Sequence, residues 1–330
     1  MFLLAFILCS SLSFASPAPK LSRGYRAPHP VIEDTQSFQL ADLFRLQSDT
    51  LVSDYKSVLK LQSPVKSQDQ RGICSIFSAA GALEWLFKKE FKTNLDISEN
   101  YLAYSIFTKV NHTGDEGSDT PDDIRAASMG GIISEKLWPY DGADWVSKDG
   151  QAENRDTIEK VCGGLKGLNK KTCLVTHHNP LEDEFAEDGE KFKEKYKSQY
   201  LKHRILYRMS DIKAALDAGQ PVVLGLNFFY GAWNHGEMRD VGLGEPNRAL
   251  YKKGIVGVPT ERDIEVSMKE PEGHSIVVIG YNDAEKVYYF KNSWGTDSWG
   301  SESPVQKGFG TIAYGYANKQ GTFYLVELEK

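Results

Sequence analysis

Two side chains in this sequence have the type and the setting of a nucleophile and its base. Cys74 opens the run CSIFSAAGALEWLFKKEF, whose apolar residues Phe77, Leu83 and Leu86 recur with a helical period and whose lysines suit a helix C-terminus. A thiol at a helix start sits among backbone N–H groups with no intrahelical partner, where the thiolate needed for attack is stabilised. Gln68 precedes it in PVKSQDQRGIC. Its side-chain amide can join the Cys74 backbone N–H in holding a developing oxyanion, and loss of one such donor in a serine protease costs about 10² to 10³ in rate.

A thiol also needs a base, and His274 is the best placed of the seven histidines. It opens the run GHSIVVIGY, so a buried apolar strand anchors an imidazole at that strand's edge. The next strand ends in KNSWG, where the carbonyl of Asn292 can hold the second ring nitrogen in the required tautomer and Trp294 can shield that bond from water. His177 and His178 lack a third and fourth ligand at suitable spacing, so no metal is expected. His29 lies in an N-terminal lead, His112 and His203 have charged surroundings, and His235 follows an aromatic stretch that could line a pocket.

The elements that must position these residues fall into two halves. Besides the helix from Cys74, one is signalled by Thr120 as cap, Pro121, acids Asp122 and Asp123 and the stop Gly130-Gly131, and another spans 210–218. Later, 222–229, 275–281, 287–291, 310–316 and 322–328 are β-branched or aromatic runs parted by Gly, Asn and Asp. Helices first and antiparallel strands later predict an α+β fold with a cleft between a helical part and a sheet or barrel part. Between them, residues 142–204 carry twelve acids and twelve bases and read as a charge-dense insertion, helical in part near its end, that is solvated or serves as a lid or partner-docking element.

The balance of 39 basic against 45 acidic residues, net −6, argues against a nucleic-acid binder that relies on bulk positive charge. Residues 2–15 form an apolar stretch too short to cross about 30 Å of hydrocarbon. Ser13 and Ala15 are the small residues of a cleavage site, so 1–15 reads as a signal peptide, 16–49 as a short lead or pro-segment, and 50–330 as the folded domain. An extracytoplasmic destination without a membrane anchor follows. Removal of the signal takes Cys9 and leaves three cysteines; Cys162 and Cys173 can close a disulfide in an exported protein, which leaves Cys74 as the odd thiol.

The sequence resembles the papain-like cysteine peptidases, the clan of papain and the cathepsins. The match consists of the run around Gln68 and Cys74, the block Asp96-Ile97-Ser98-Glu99, the strand around His274, and NSWG followed by Trp299-Gly300 and Lys307-Gly308-Phe309-Gly310. The resemblance implies a two-part fold, a helical subdomain and an antiparallel β-barrel-like subdomain with the active-site cleft between. It makes Cys74 the nucleophile, Gln68 the oxyanion donor, His274 the base and later acid, and Asn292 the orienter. It places Gly117 and Ser118 where the family has a glycine pair that binds the extended substrate, and Gly225, Glu272, Gly273 and Trp294 around the substrate, with Glu272 a candidate selector of basic side chains.

The sequence departs from the family in three ways. Arg71 stands where animal and plant members have a disulfide cysteine, so packing must hold the chain there. The interval from Cys74 to His274 exceeds the family's about 130 to 150 residues, and the insertion accounts for the excess. Residues 16–48 are too short for the family's long helical propeptide. The function implied is an exported cysteine endopeptidase that hydrolyses protein or peptide substrates through a thioester and needs no cofactor, with a proteinaceous inhibitor or partner conceivable at the insertion. Acyl transfer or isopeptide cleavage at the same site is an alternative, and a non-catalytic binding protein is a second. Asn111-His112-Thr113 is a formal glycosylation sequon.

Overall fold

The computed structural model describes residues 29–32, 53–69, 71–110, 117–140, 142 and 185–329. The signal peptide, most of the lead, Asn111, the Cys162 and Cys173 pair and the first two thirds of the insertion lie outside the described residues.

Nine helices and seven strands are described. The helices are α1 (Tyr55–Leu59), α2 (Cys74–Phe91), α3 (Glu99–Lys109), α4 (Thr120–Gly130), α5 (Ala186–Tyr196), α6 (Met209–Asp217), α7 (Arg248–Lys253), α8 (Glu261–Ser267) and α9 (Tyr314–Gln320). The strands are β1 (Leu201–Leu206), β2 (Val222–Asn227), β3 (Ile255–Val256), β4 (Gly273–Asn282), β5 (Val287–Lys291), β6 (Phe309–Ala313) and β7 (Gly321–Leu328). They form one sheet in the order β1-β7-β2-β4-β5-β6-β3. Every neighbouring pair is antiparallel except β3 with β6, which is parallel, so the expected α+β fold holds, with a largely antiparallel seven-stranded sheet as its second half.

Period-2 alternation explains why this sheet is buried on both faces. Val222, Leu224 and Leu226 of β2 and Ile276 and Val278 of β4 enter one apolar core, with α6, α9 and the aromatic residues 228–233. Val223, Val277, Ile279, Tyr324 and Val326 face the other way into a second core, built with α2, α3 and α4. From Cys74 to Phe87 every residue of α2 is buried, so it is a central helix set between its neighbours and the sheet. Of the lead, residues 29–32 lie against the sheet half: His29 N–H donates to Thr322 Oγ1 (2.8 Å), Val31 is buried, and Ile32 forms a bridge with Arg208.

The bounds of α2 and β5 agree with the sequence reading, and three expectations shift. The N-cap of α4 is Asp119, whose carboxylate accepts from Asp122 N–H (3.0 Å), rather than Thr120. The strand expected over 222–229 ends at Asn227, where the chain turns into the aromatic stretch. The run expected as a strand over 310–316 becomes helix α9 after Ala313. There, Tyr314 Oη donates to Asp283 (2.8 Å) while Tyr316 Oη donates to Asn227 O (2.5 Å), two destinations that a strand would not serve from one face.

Candidate active site

Cys74 is the first residue of α2, and its N-cap, Ile73, offers no side-chain hydrogen bond, so the first-turn N–H groups remain unfilled from that side. Its side chain is fully buried, with Sγ 4.0 Å from Gly273 O across the junction of the two halves. His274 is the second residue of β4, opposite Leu226 of β2. Asn292 follows β5, and its N–H donates to Gly308 O (3.1 Å). Cys74 and His274 line one cavity.

The hydrogen bonds settle the tautomer. Asn292 Oδ1 accepts from Ser293 N–H (2.9 Å), which identifies that atom as the oxygen, so His274 Nε2, 2.8 Å from it, must be the protonated nitrogen and the donor. Nδ1 is left with its lone pair and no hydrogen-bond partner, buried beside the cavity. Trp294 lies over the imidazole with centroids 4.8 Å apart, and Trp233 meets it edge-on at 5.0 Å. Burial in this aromatic box pushes His274 down to about 4, with the Asn292 bond pulling the other way and the nearby His235 adding to the depression.

Gln68 is fully buried and tied on both sides of its carboxamide. Its Oε1 accepts from Ser293 Oγ (2.7 Å), and its Nε2 donates to Arg71 O (2.9 Å). Its backbone N–H donates to Ser293 O (2.9 Å), Ser67 forms a bridge with Trp294, and Gly295 N–H donates to Lys66 O (3.1 Å). The segment leading to Cys74 is thus clipped directly onto the one carrying Asn292.

The expected substrate residues separate into two groups. Ser118, Gly225 and Gly273 line the cavity with Cys74 and His274. The Ser118 hydroxyl donates to Asp123 Oδ1 (2.5 Å) and meets Ser75 Oγ at 2.7 Å, so the side chain replacing the family's second glycine is turned into the helical half. Gly117 is buried beside it. Glu272, next to the lining residue Gly273, is not itself in this wall, and its carboxylate accepts from Tyr230 Oη (3.0 Å). Ser75, Asp119, Thr120, Ser275 and Tyr324 complete the wall, and only the approach of β7 brings Tyr324 there. Among the described residues no cluster of metal-binding side chains occurs, and no helix is long and apolar enough to cross a membrane.

Comparison with known proteins agrees with this fold. The Peptidase_C39 like family matches residues 60–322. An uncharacterized peptidase C1-like protein of Acanthamoeba polyphaga mimivirus is 26% identical over 189 residues, 53% of this chain and 53% of its own length. The thiol protease aleurain of Arabidopsis thaliana is 25% identical over 261 residues, 77% of this chain and 55% of its own. The chain therefore spans about half the length of these curated relatives. Xylellain, a cysteine protease from Xylella fastidiosa, shares the fold with a TM-score of 0.53 at 17% identity, over 94% of this chain and 100% of that one. The chain belongs to the Peptidase_C39 like family, and it resembles the papain-like cysteine peptidases in fold and in its curated relatives.

Proposed function

We propose that this protein is a cysteine endopeptidase that hydrolyses peptide bonds through a thioester on Cys74. The observation that carries the reading is the orientation of His274. With Nε2 committed to Asn292 at 2.8 Å, Nδ1 is the nitrogen left for the thiol across the cavity the two side chains share.

In the first half-reaction Nδ1 takes the Cys74 proton and Sγ attacks the scissile carbonyl carbon. The carbonyl π electrons move to oxygen, where the Cys74 backbone N–H and the Gln68 side-chain amide receive the charge. Collapse expels the amine, which leaves with the proton held on His274. Water then attacks the thioester, His274 takes its proton, and release of the acid returns Cys74. The cavity walled by Thr120, Gly225, Gly273 and Tyr324 receives a substrate side chain beside this carbon.

Export rests on residues 2–15, and N-terminal sequencing of the mature protein tests it. The activity is tested by incubating 16–330 and its Cys74→Ala variant with a proteome-derived peptide library and mapping new termini by mass spectrometry. Cuts made only with the thiol present are expected. Equal cutting by Cys74→Ala would end the assignment.

A further inference from the structure

We propose that Arg71 is a positioning residue for the oxyanion site, setting where Gln68 Nε2 sits. The proposal rests on the reading of Cys74 as nucleophile and Gln68 as oxyanion donor. Arg71 is 1% exposed, an unusual place for a guanidinium, whose removal from water is costly unless its surroundings compensate.

Those surroundings form a closed circuit. Arg71 Nη1 donates to Asn100 Oδ1 of α3 (2.5 Å), and Asn100 Nδ2 donates to Pro139 O (2.7 Å). The guanidinium carbon lies 5.3 Å from the ring centroid of Tyr140, the residue after Pro139, and Tyr140 Oη donates to Gln68 O (2.7 Å). The circuit closes through two bonds between Gln68 and Arg71 themselves: Arg71 N–H to Gln68 O (3.1 Å) and Gln68 Nε2 to Arg71 O (2.9 Å). The acceptor that aims the carboxamide is thus the carbonyl of the residue whose side chain is moored in α3.

The turn has reason to need mooring. Asp69 adopts φ 45°, a left-handed conformation that costs a non-glycine residue about 1–2 kcal/mol. Such a turn persists where its surroundings over-determine it. Ser293 Oγ holds Gln68 Oε1 from the sheet side, Arg71 O holds its Nε2 from the helical side, and Tyr140 Oη holds its backbone carbonyl. Fixing both edges of one amide matters because a displacement of about 1 Å at a reacting centre costs about 10² in rate.

The test separates oxyanion support from formation of the thiolate. Wild type, Arg71→Met, Arg71→Lys and Tyr140→Phe are assayed on a fluorogenic peptide built on a cut site from the library, and Cys74 is alkylated with iodoacetamide, a displacement that passes through no oxyanion. Arg71→Met is expected to lower kcat about tenfold or more, with KM within about threefold and alkylation within about twofold of wild type. Arg71→Lys keeps the charge without the planar fork and is expected to fall with Met. Tyr140→Phe keeps the ring under Arg71 and is expected to lower kcat about threefold with its fold intact. Parallel loss of kcat and alkylation, or unchanged kcat in Tyr140→Phe and in a folded Arg71→Met, overturns the proposal. If Arg71→Met fails to melt cooperatively, Tyr140→Phe decides. A wild type that cuts no peptide defeats the peptidase reading instead, a result distinct from either.

Discussion

His274 does two things that its burial makes compatible. Its neutral imidazole is the form that accepts the thiol proton, and the aromatic box keeps it neutral down to about pH 4 rather than 6.5. The acid limb of kcat/KM is therefore expected near pH 4, measured on the fluorogenic peptide; a limb near 6.5 would mean that the imidazole is solvated in the working enzyme. His235 is subject to the same physics without the chemistry. It is fully buried, its Nδ1 accepts from Glu237 N–H at 3.4 Å, Nε2 has no partner, and burial pushes it down to about 4. Because the unfolded chain takes up a proton at about 6.5 and the folded one only near 4, its contribution is intact above 6.5 and is lost as pH falls from there to 4. The loss is about 3 kcal/mol. His235→Phe is expected to flatten the pH dependence of the urea midpoint across that window by this amount, and an unchanged slope would place the proton elsewhere.

Elements show which parts of the fold a sequence can announce. Helix α2 was legible to the residue because eighteen consecutive residues keep one period and end in lysines. The places of three of the four proposed catalytic residues were legible locally: Cys74 at a helix start, His274 at a strand opening and Asn292 at a strand end. Helices α7 and α8 were not, being short and held by caps such as Asn247 and Thr260 rather than by an apolar stripe. Tyr324 in the cavity wall and the moorings of Arg71 were invisible too, since β7, α3 and residue 140 meet the site only through tertiary packing. Strand β6 illustrates such a meeting. A Cβ on Gly310 would lie 2.1 Å from Gly254 O and 2.6 Å from the Trp299 ring, where β6 pairs with β3. Gly310→Ala is expected to cost about 3 kcal/mol. Differential scanning calorimetry should record a Tm lower by about 5–10 °C; a shift under about 2 °C would show that the strands part easily there.

The molecule as a whole is joined by a charged cluster set between the helical and sheet halves. Lys66, two residues before Gln68, approaches Glu84 of α2 at 3.4 Å, Asp96 at 2.7 Å and Glu99 of α3 at 2.8 Å. Glu84 and Glu99 are 3% and 1% exposed, and Glu84 also accepts from Ile97 N–H (2.8 Å). Lys291, at the end of β5 beside Asn292, lines the same polar cavity; burial pushes it down to about 8 and drives Glu99 up to about 8 against the pull of Lys66. Lys66 is the nearest cation to both buried carboxyls, and its backbone carbonyl is also clipped to Gly295. Lys66→Met keeps the apolar stem and the backbone clip but leaves the Glu84 carboxylate without its cation and Glu99 without its hydrogen-bond donor, so about 3 kcal/mol of stability should be lost, since breaking a buried pair from one side costs about 3–5 kcal/mol and Lys66 is partly exposed. Urea denaturation should show the lower midpoint with an unchanged slope, because the two halves share this cluster and unfold together. A lower slope would mean that the halves had separated, and a loss under about 1 kcal/mol would mean that water, not Lys66, balances the carboxyls.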